Sequence, residues 1–229
     1  MFVRSSIIIV LIFTALALCA DELLDRMVAT VNGHVILLSD LQDEIRFEAL
    51  SSGRPLSEVT AEQSKAALDR LIDQELLREQ MHAAEVKPLA PEPLRKLVEN
   101  VQSEILKASA NRTWDHLFST YHLNHQFVED RITTEVEQLQ FIDARFRPSI
   151  QVSQAEIDAY YKDQLVPKLP PSDPVSISDA APKIREILTQ QKINQALGSW
   201  LEVLRSQAQV QLFSPNPESA SSTPRAGTQ

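Results

Sequence analysis

The stretch that decides the fold is MVATVNGHVILLSDL, residues 27–41. Two short apolar runs flank Asn32-Gly33, and Asn-Gly is the strongest short hairpin signal, because a type I′ turn needs positive φ at both central positions. The two-residue loop fixes the register, which pairs Val31 with His34, Ala29 with Ile36 and Met27 with Leu38. Both faces of this hairpin are apolar, and a lone two-stranded hairpin is only marginally stable in water. We therefore expect other elements to cover both faces.

A second short β-prone segment lies near the other end of the chain. VQLF, residues 210–213, is a candidate third strand. If this segment pairs with the hairpin, the two ends of the folded chain close the same domain.

Between these strands the sequence has the apolar periodicity of amphipathic helices. Residues with N-cap or capping-box spacing predict helix starts at Ser39, Thr60, Asn124 and Ser153. Pro148 ends the helix that follows Asn124, and Pro182 is expected in the first turn of the last long helix, where proline is tolerated. The predicted fold class is mainly α: a multi-helix body with a short N-terminal β-hairpin and VQLF as its candidate third strand.

The first 20 residues have the layout of a secretion signal. Arg4 gives a positive start, residues 7–18 (IIIVLIFTALAL) form an apolar segment, and ALCA offers a cleavage site near residues 19–20. An anchor that is never removed is the alternative, although this twelve-residue segment is short against the roughly 20 residues that span a bilayer. Lipidation at Cys19, the only cysteine, is a second alternative, but Leu18 stands where a small residue is expected.

Composition argues against several classes of protein. The formal net charge is -9, which disfavours nucleic acid as a partner because phosphate binding needs a basic face. The four glycines form no phosphate-binding run, and no nucleotide or zinc motif occurs. His116, His122 and His125 lie close together in sequence, but Asn124 is expected to break the helix between the last two. We therefore expect no metal site, no cofactor and no nucleotide.

The other polar clusters have structural explanations. Asp40, Asp43 and Glu44 fit the positive end of a helix dipole, and Ser39 fits an N-cap better than a nucleophile. Glu75, Arg78 and Glu79 fit a solvated helix face. The aromatic residues fit either core or an exposed peptide-binding trough, and these are Trp114, Phe118, Tyr121, Phe127, Tyr160, Tyr161 and Trp200. The sequence thus assigns no catalytic, cofactor-binding or metal-binding residue, and no individual substrate-binding residue.

Several segments carry a family resemblance. DRMVATVNGHVILLSDLQDEI, residues 25–45, resembles the opening of the mature SurA-type periplasmic chaperones. Residues 71–86 and 152–161, and the last long helix with its short strand, resemble later segments of that family. The resemblance implies a periplasmic helical body, with its N- and C-terminal segments packed together, that binds unfolded outer-membrane proteins without ATP. It also implies a parvulin-type prolyl isomerase module between those segments.

The chain departs from that pattern after Tyr161. Only residues 162–177, a proline-rich spacer, precede the last helix, and segments below about 40 residues rarely fold unaided. We therefore expect a short form of the family that lacks the prolyl isomerase module. The expected organisation is a signal peptide (1–20), a SurA-like helical domain (21–213, comprising 21–161, the spacer and 178–213) and a disordered tail (214–229). The expected function is that of an ATP-independent holdase in outer-membrane protein assembly. The alternatives are a prolyl isomerase and a dedicated envelope assembly or scaffold subunit.

Overall fold

The computed structural model describes residues 25–85, 90–109, 112–168 and 175–213. In these ranges the chain forms seven α-helices and one three-stranded antiparallel sheet near the N-terminus, which confirms the predicted class. The signal segment 1–20 and the tail 214–229 lie outside the described residues. None of the helices in the described ranges is both long and apolar enough to cross a membrane.

The elements follow one another with short connections. The strands are β1 (Met27–Val31), β2 (His34–Leu37) and β3 (Val210–Leu212). The helices are α1 (Leu38–Ser51), α2 (Ala61–Ala83), α3 (Pro91–Ala108), α4 (Trp114–Tyr121), α5 (His125–Phe146), α6 (Gln154–Tyr160) and α7 (Ile177–Gln207). Pro148 lies in the 3₁₀ turn Arg147–Ser149 that follows α5, as expected.

The sheet confirms most of the predicted register. Asn32 and Gly33 have φ of 50° and 90°, as a type I′ turn requires. VQLF supplies β3, which pairs antiparallel with β1, so that β1 is the central strand of the order β2-β1-β3. The pair Met27–Leu38 was predicted wrongly, because a bulge at Val28 places Met27 opposite Leu37. The extra residue in β1 shifts every pair beyond it by one.

The start of α1 also differs from its prediction. The helix begins at Leu38, and Ser39 is not its cap, because the hydroxyl and the N–H of Ser39 both donate to the carboxylate of Asp25. Those bonds lower the pKa of Asp25. The carboxylate of Asp40 accepts instead from the N–H of Leu37 over 2.8 Å. The caps at Thr60, Asn124 and Ser153 are confirmed, with side-chain oxygens accepting from the N–H three residues later.

The last helix begins earlier than the position of Pro182 predicts. Ser176 accepts from the N–H of Asp179 and caps α7, so the helix starts at Ile177 and Pro182 lies in its second turn rather than its first. The first half of the spacer is also partly helical. Tyr161–Leu165 forms a π turn, and Val166–Lys168 forms a 3₁₀ turn. Residues 169–174 lie outside the described ranges.

The helices pack around several apolar clusters. The largest joins α1, α3, α4 and α5 through Leu50, Ile105, Leu117 and Ile132, and a second joins β1 and β2 to α2 and α7 through Val31, Ile36, Ile72 and Leu204. Burial of one such side chain contributes about 1.5–3 kcal/mol. This second cluster therefore packs the hairpin at the start of the described chain against α2 and against α7 near its end.

Candidate functional site

The two faces of the sheet differ in their environment. The inner face carries Val28, Ala29, Val31 and Ile36 and packs on α2 and α7. Thr30, Val35 and Gln211 lie in one row on the outer face, and helices do not bury it: Val35 is 38 % exposed and Phe213 is 37 % exposed. The expectation that both faces would be covered was wrong, because the third strand and one packed face already stabilise the hairpin.

The sheet therefore presents apolar side chains to solvent. Val35 and Phe213 lie on its outer face, and Met27 (47 % exposed) and Leu212 (66 % exposed) lie at its margins. We call these four side chains the sheet patch. Its members come from both ends of the described chain. Val35 and Leu212 lie on opposite faces and on the two edge strands, so the exposed apolar groups are spread over the sheet. Large apolar side chains exposed on one small sheet can mark an interaction site.

One edge of the sheet is formed by β3. The strand bonds to β1 at alternate residues: the N–H of Asn32 donates to the C=O of Gln209 over 3.0 Å, and the N–H of Phe213 donates to the C=O of Val28 over 2.9 Å. In an antiparallel ladder the intervening residues turn their N–H and C=O groups the other way. The backbone groups of Val210 and Leu212 therefore point away from β1.

A cleft of about 280 Å³ lies beside the hairpin, between β2, α1, α2 and α5. Ile36, Leu71 and Phe127 form its apolar lining. Its charged wall is an ion pair between Glu44, which is only 2 % exposed, and Arg131. The guanidinium donates two bonds to the carboxylate, at 2.8 and 2.9 Å. This pair joins α1 to α5 across 87 residues of sequence.

Further contacts stabilise the Glu44–Arg131 pair. The amide of Gln74 on α2 donates to Glu44 over 3.1 Å, so the carboxylate also bonds to a third helix. The guanidinium of Arg131 lies 5.0 Å from the ring centroid of Phe47. Burial acts to lower the pKa of Arg131, but its hydrogen bonds to Glu44 and the negative charges of Glu44, Glu135 and Glu48 together raise that pKa above its ordinary value.

Glu75 was misassigned to a solvated helix face. It is only 6 % exposed and lines the same cleft. Arg78 donates to its carboxylate over 2.7 Å, and the Nε2 atom of His34 lies 3.7 Å away. Arg78 itself is more than half exposed, and Glu79 accepts from the side chain of Asn32 in the hairpin turn over 2.7 Å.

A second, more open pocket of about 560 Å³ is also lined by Glu44 and Arg131. Glu48, Arg54, Arg70 and Glu135 give it a strongly charged lining. Glu48 forms an ion pair with Arg70, but burial dominates and raises the pKa of this carboxyl. Carboxylates that face guanidinium groups in this way link helices and can bind polar groups of a ligand.

The three histidines that are close in sequence do not meet in space as a metal site. His122 ends α4 with a positive φ, and His125 begins α5, so the two lie on either side of a helix break, as expected. The ring of His125 makes an edge contact with Phe118, and its Nδ1 lies 3.5 Å from Glu129. Within the described ranges no group of three His, Cys, Asp or Glu residues is placed to hold a metal ion.

The aromatic residues are divided among separate clusters. Trp114 stacks on Phe118 with ring centroids 5.3 Å apart, against the largest apolar cluster. Trp200 contacts Phe146 on α5, with the guanidinium of Arg145 over its ring at 4.2 Å. The other four lie in the largest cluster (Tyr121, Phe127) and in the cluster between α6 and α7 (Tyr160, Tyr161). The seven side chains do not form one exposed trough.

No protein-family model matches the chain, and no curated protein matches it. The resemblance to SurA-type chaperones therefore depends on the motifs of the chain itself, above all on residues 25–45.

Proposed function

We propose that this protein is an ATP-independent periplasmic chaperone of the SurA type, a holdase that binds unfolded exported proteins such as outer-membrane proteins. The observation that carries the proposal is the sheet patch, whose four apolar side chains are exposed on a protein of net charge -9. A holdase needs apolar surface for many partners and enough net charge to stay soluble while it exposes that surface.

The connection at the spacer supports the short-form interpretation. The hydroxyl of Tyr161 donates to the C=O of Val175 over 2.6 Å, so the chain before the spacer and the chain after it lie side by side. Both segments pack into one apolar cluster with Ile157 and Ile184. This closure fits a chaperone body that has no isomerase module inserted at this point.

Aggregation of a client protein is the direct test. A urea-unfolded outer-membrane β-barrel is diluted with and without the protein, which is purified after expression of the full sequence, and light scattering is recorded without ATP. An acidic helical protein of similar size is the inert control. We expect suppression at near-stoichiometric ratios beyond that control. Scattering equal to the control would exclude a general holdase.

The alternatives predict other results. A prolyl isomerase would accelerate proline-limited refolding at substoichiometric concentration. A dedicated scaffold subunit would give one stoichiometric partner on affinity purification and would leave scattering unchanged. A holdase gives many weakly bound clients and no acceleration.

A further inference from the structure

Building on the proposed function, we infer how a client binds: an unfolded segment with apolar residues at alternate positions adds as a fourth strand at the open edge of β3. The occupant is thus an extended polypeptide, such as a segment of an outer-membrane protein before it folds. The binding site is the outward backbone edge of Val210 and Leu212 together with the exposed side chain of Leu212.

The backbone geometry favours an added strand. Because Gln209 and Phe213 bond to β1, the N–H and C=O of Leu212 point away from the ladder. Main-chain groups on such an edge can pair with any extended segment, whatever its side chains. This indifference to sequence is what a chaperone with many clients requires.

The side chains next to the edge select apolar segments. Leu212 is the most exposed large apolar side chain in the described ranges, and it lies opposite Ala29 on the helix-facing side of the sheet. A residue paired with Leu212 points to the same side. Apolar residues at alternate positions of a client would therefore extend the row of Leu212, while the residues between them lie beside the exposed Gln211.

The size of the site argues against a second copy of the chain. A three-residue edge is about 10 Å long, and an outer face of three such strands measures about 150–200 Å². A stable dimer buries about 800 Å² on each partner. A short extended segment matches the dimensions of this edge better than a folded protein does.

A proline at position 212 tests the outward backbone edge of β3 without breaking the hydrogen bonds between β3 and β1. Leu212→Pro removes the outward N–H but leaves the bonds of Gln209 and Phe213 to β1, and edge strands tolerate proline. Leu212→Thr is the matched control, because it removes the apolar side chain and keeps the N–H. Circular dichroism and a urea transition should show that both variants remain folded.

The probe is a labelled decapeptide of alternating valine and threonine, and its partner is the same peptide N-methylated at every second residue. Fluorescence anisotropy measures Kd for both peptides, and the client-scattering assay is run on the same proteins. We expect at least tenfold weaker binding for Leu212→Pro and for the methylated peptide. Leu212→Thr should weaken binding about threefold.

Each other result overturns the inference. Equal affinity for both peptides, unchanged by Leu212→Pro, means that clients bind elsewhere, and the holdase proposal then survives if scattering is still suppressed. If the wild-type protein neither binds peptide nor suppresses scattering, both proposals fail. A wild-type dimer that Leu212→Pro converts to a monomer would show that the edge pairs with a second copy.

Discussion

Two regions of the molecule depart from the usual distribution of polar and apolar groups. Where α1, α2 and α5 meet, the charged residues Glu44 and Glu75 are buried; at the sheet, Val35, Leu212 and Phe213 are exposed. The buried charges have partners on neighbouring elements. The exposed apolar groups have no cover among the described residues. The charged groups of the first region are therefore already paired within the protein. The apolar groups of the second region are suited to contact a binding partner.

The largest expected effect comes from breaking the buried pair. Arg131→Met leaves the Glu44 carboxylate buried without its main partner, which costs about 3–5 kcal/mol of unfolding free energy. Urea denaturation followed by circular dichroism measures the loss. Arg95→Met is the matched control, because Arg95 pairs with Glu92 and Glu99 at the surface, where a pair contributes about 0–1 kcal/mol.

A double variant tests the cause of that loss. Glu44→Gln combined with Arg131→Met removes both charges, so we expect a clearly smaller loss than for Arg131→Met alone. An equal loss would mean that packing of the arginine stem, including its contact with Phe47, matters more than the unpaired charge.

The second buried carboxylate should give a smaller effect. Arg78→Met leaves Glu75 without its principal donor, but Arg78 is more than half exposed and His34 remains near the carboxylate. We expect a loss of about 1.5–3 kcal/mol, typical of a hydrogen bond to a charged group. A loss as large as that of Arg131→Met would contradict the argument that the more exposed arginine contributes less to stability.

The sequence predicts those features that depend on neighbouring residues. The Asn32-Gly33 turn determines most of the hairpin register, and the spacing Thr60–Gln63 identifies a helix start, because both follow from local chemistry. The start of α1 was missed because Asp25, fourteen residues before Ser39, takes up the donors of that serine. The bulge at Val28 leaves no local signal that we can identify.

The buried charges were missed for a different reason. Glu44 meets Arg131 only in the folded chain, and no local rule relates residues so far apart. A weaker signal was present: Glu44 lies three residues from both Leu41 and Phe47, and Glu75 lies four after Leu71, so both occupy apolar stripes. Exposure of the sheet patch gave no signal, because an apolar strand face looks the same in sequence whether covered or open.

The sheet patch should affect binding far more than stability. Val35→Thr keeps a β-branched residue on the outer face and removes one apolar contact surface, so the unfolding free energy should change by less than about 0.5 kcal/mol. Suppression of client scattering should fall less than for Leu212→Pro, because Val35 lies on β2, at the sheet edge opposite β3. Leu139→Thr, an exposed apolar residue on α5 far from the patch in sequence, is the control that should leave suppression unchanged.

An exposed ion pair completes the comparison with the buried ones. The ammonium of Lys192 on α7 lies 2.7 Å from Glu156 on α6, and this bond, with the N–H and hydroxyl of Ser153, lowers the pKa of Glu156 to about 2. Because the pKa in the folded protein is depressed, the contribution of this pair to stability is present above the ordinary value of 4.5 and is lost as the pH falls toward 2.

Urea midpoints should therefore fall more steeply below pH 4.5 for the wild type than for Glu156→Gln, with the two curves converging near pH 2. Parallel curves would mean that solvent screens this pair completely, as it often does for surface pairs. The buried Glu44–Arg131 pair would then be the only one of the two to affect stability.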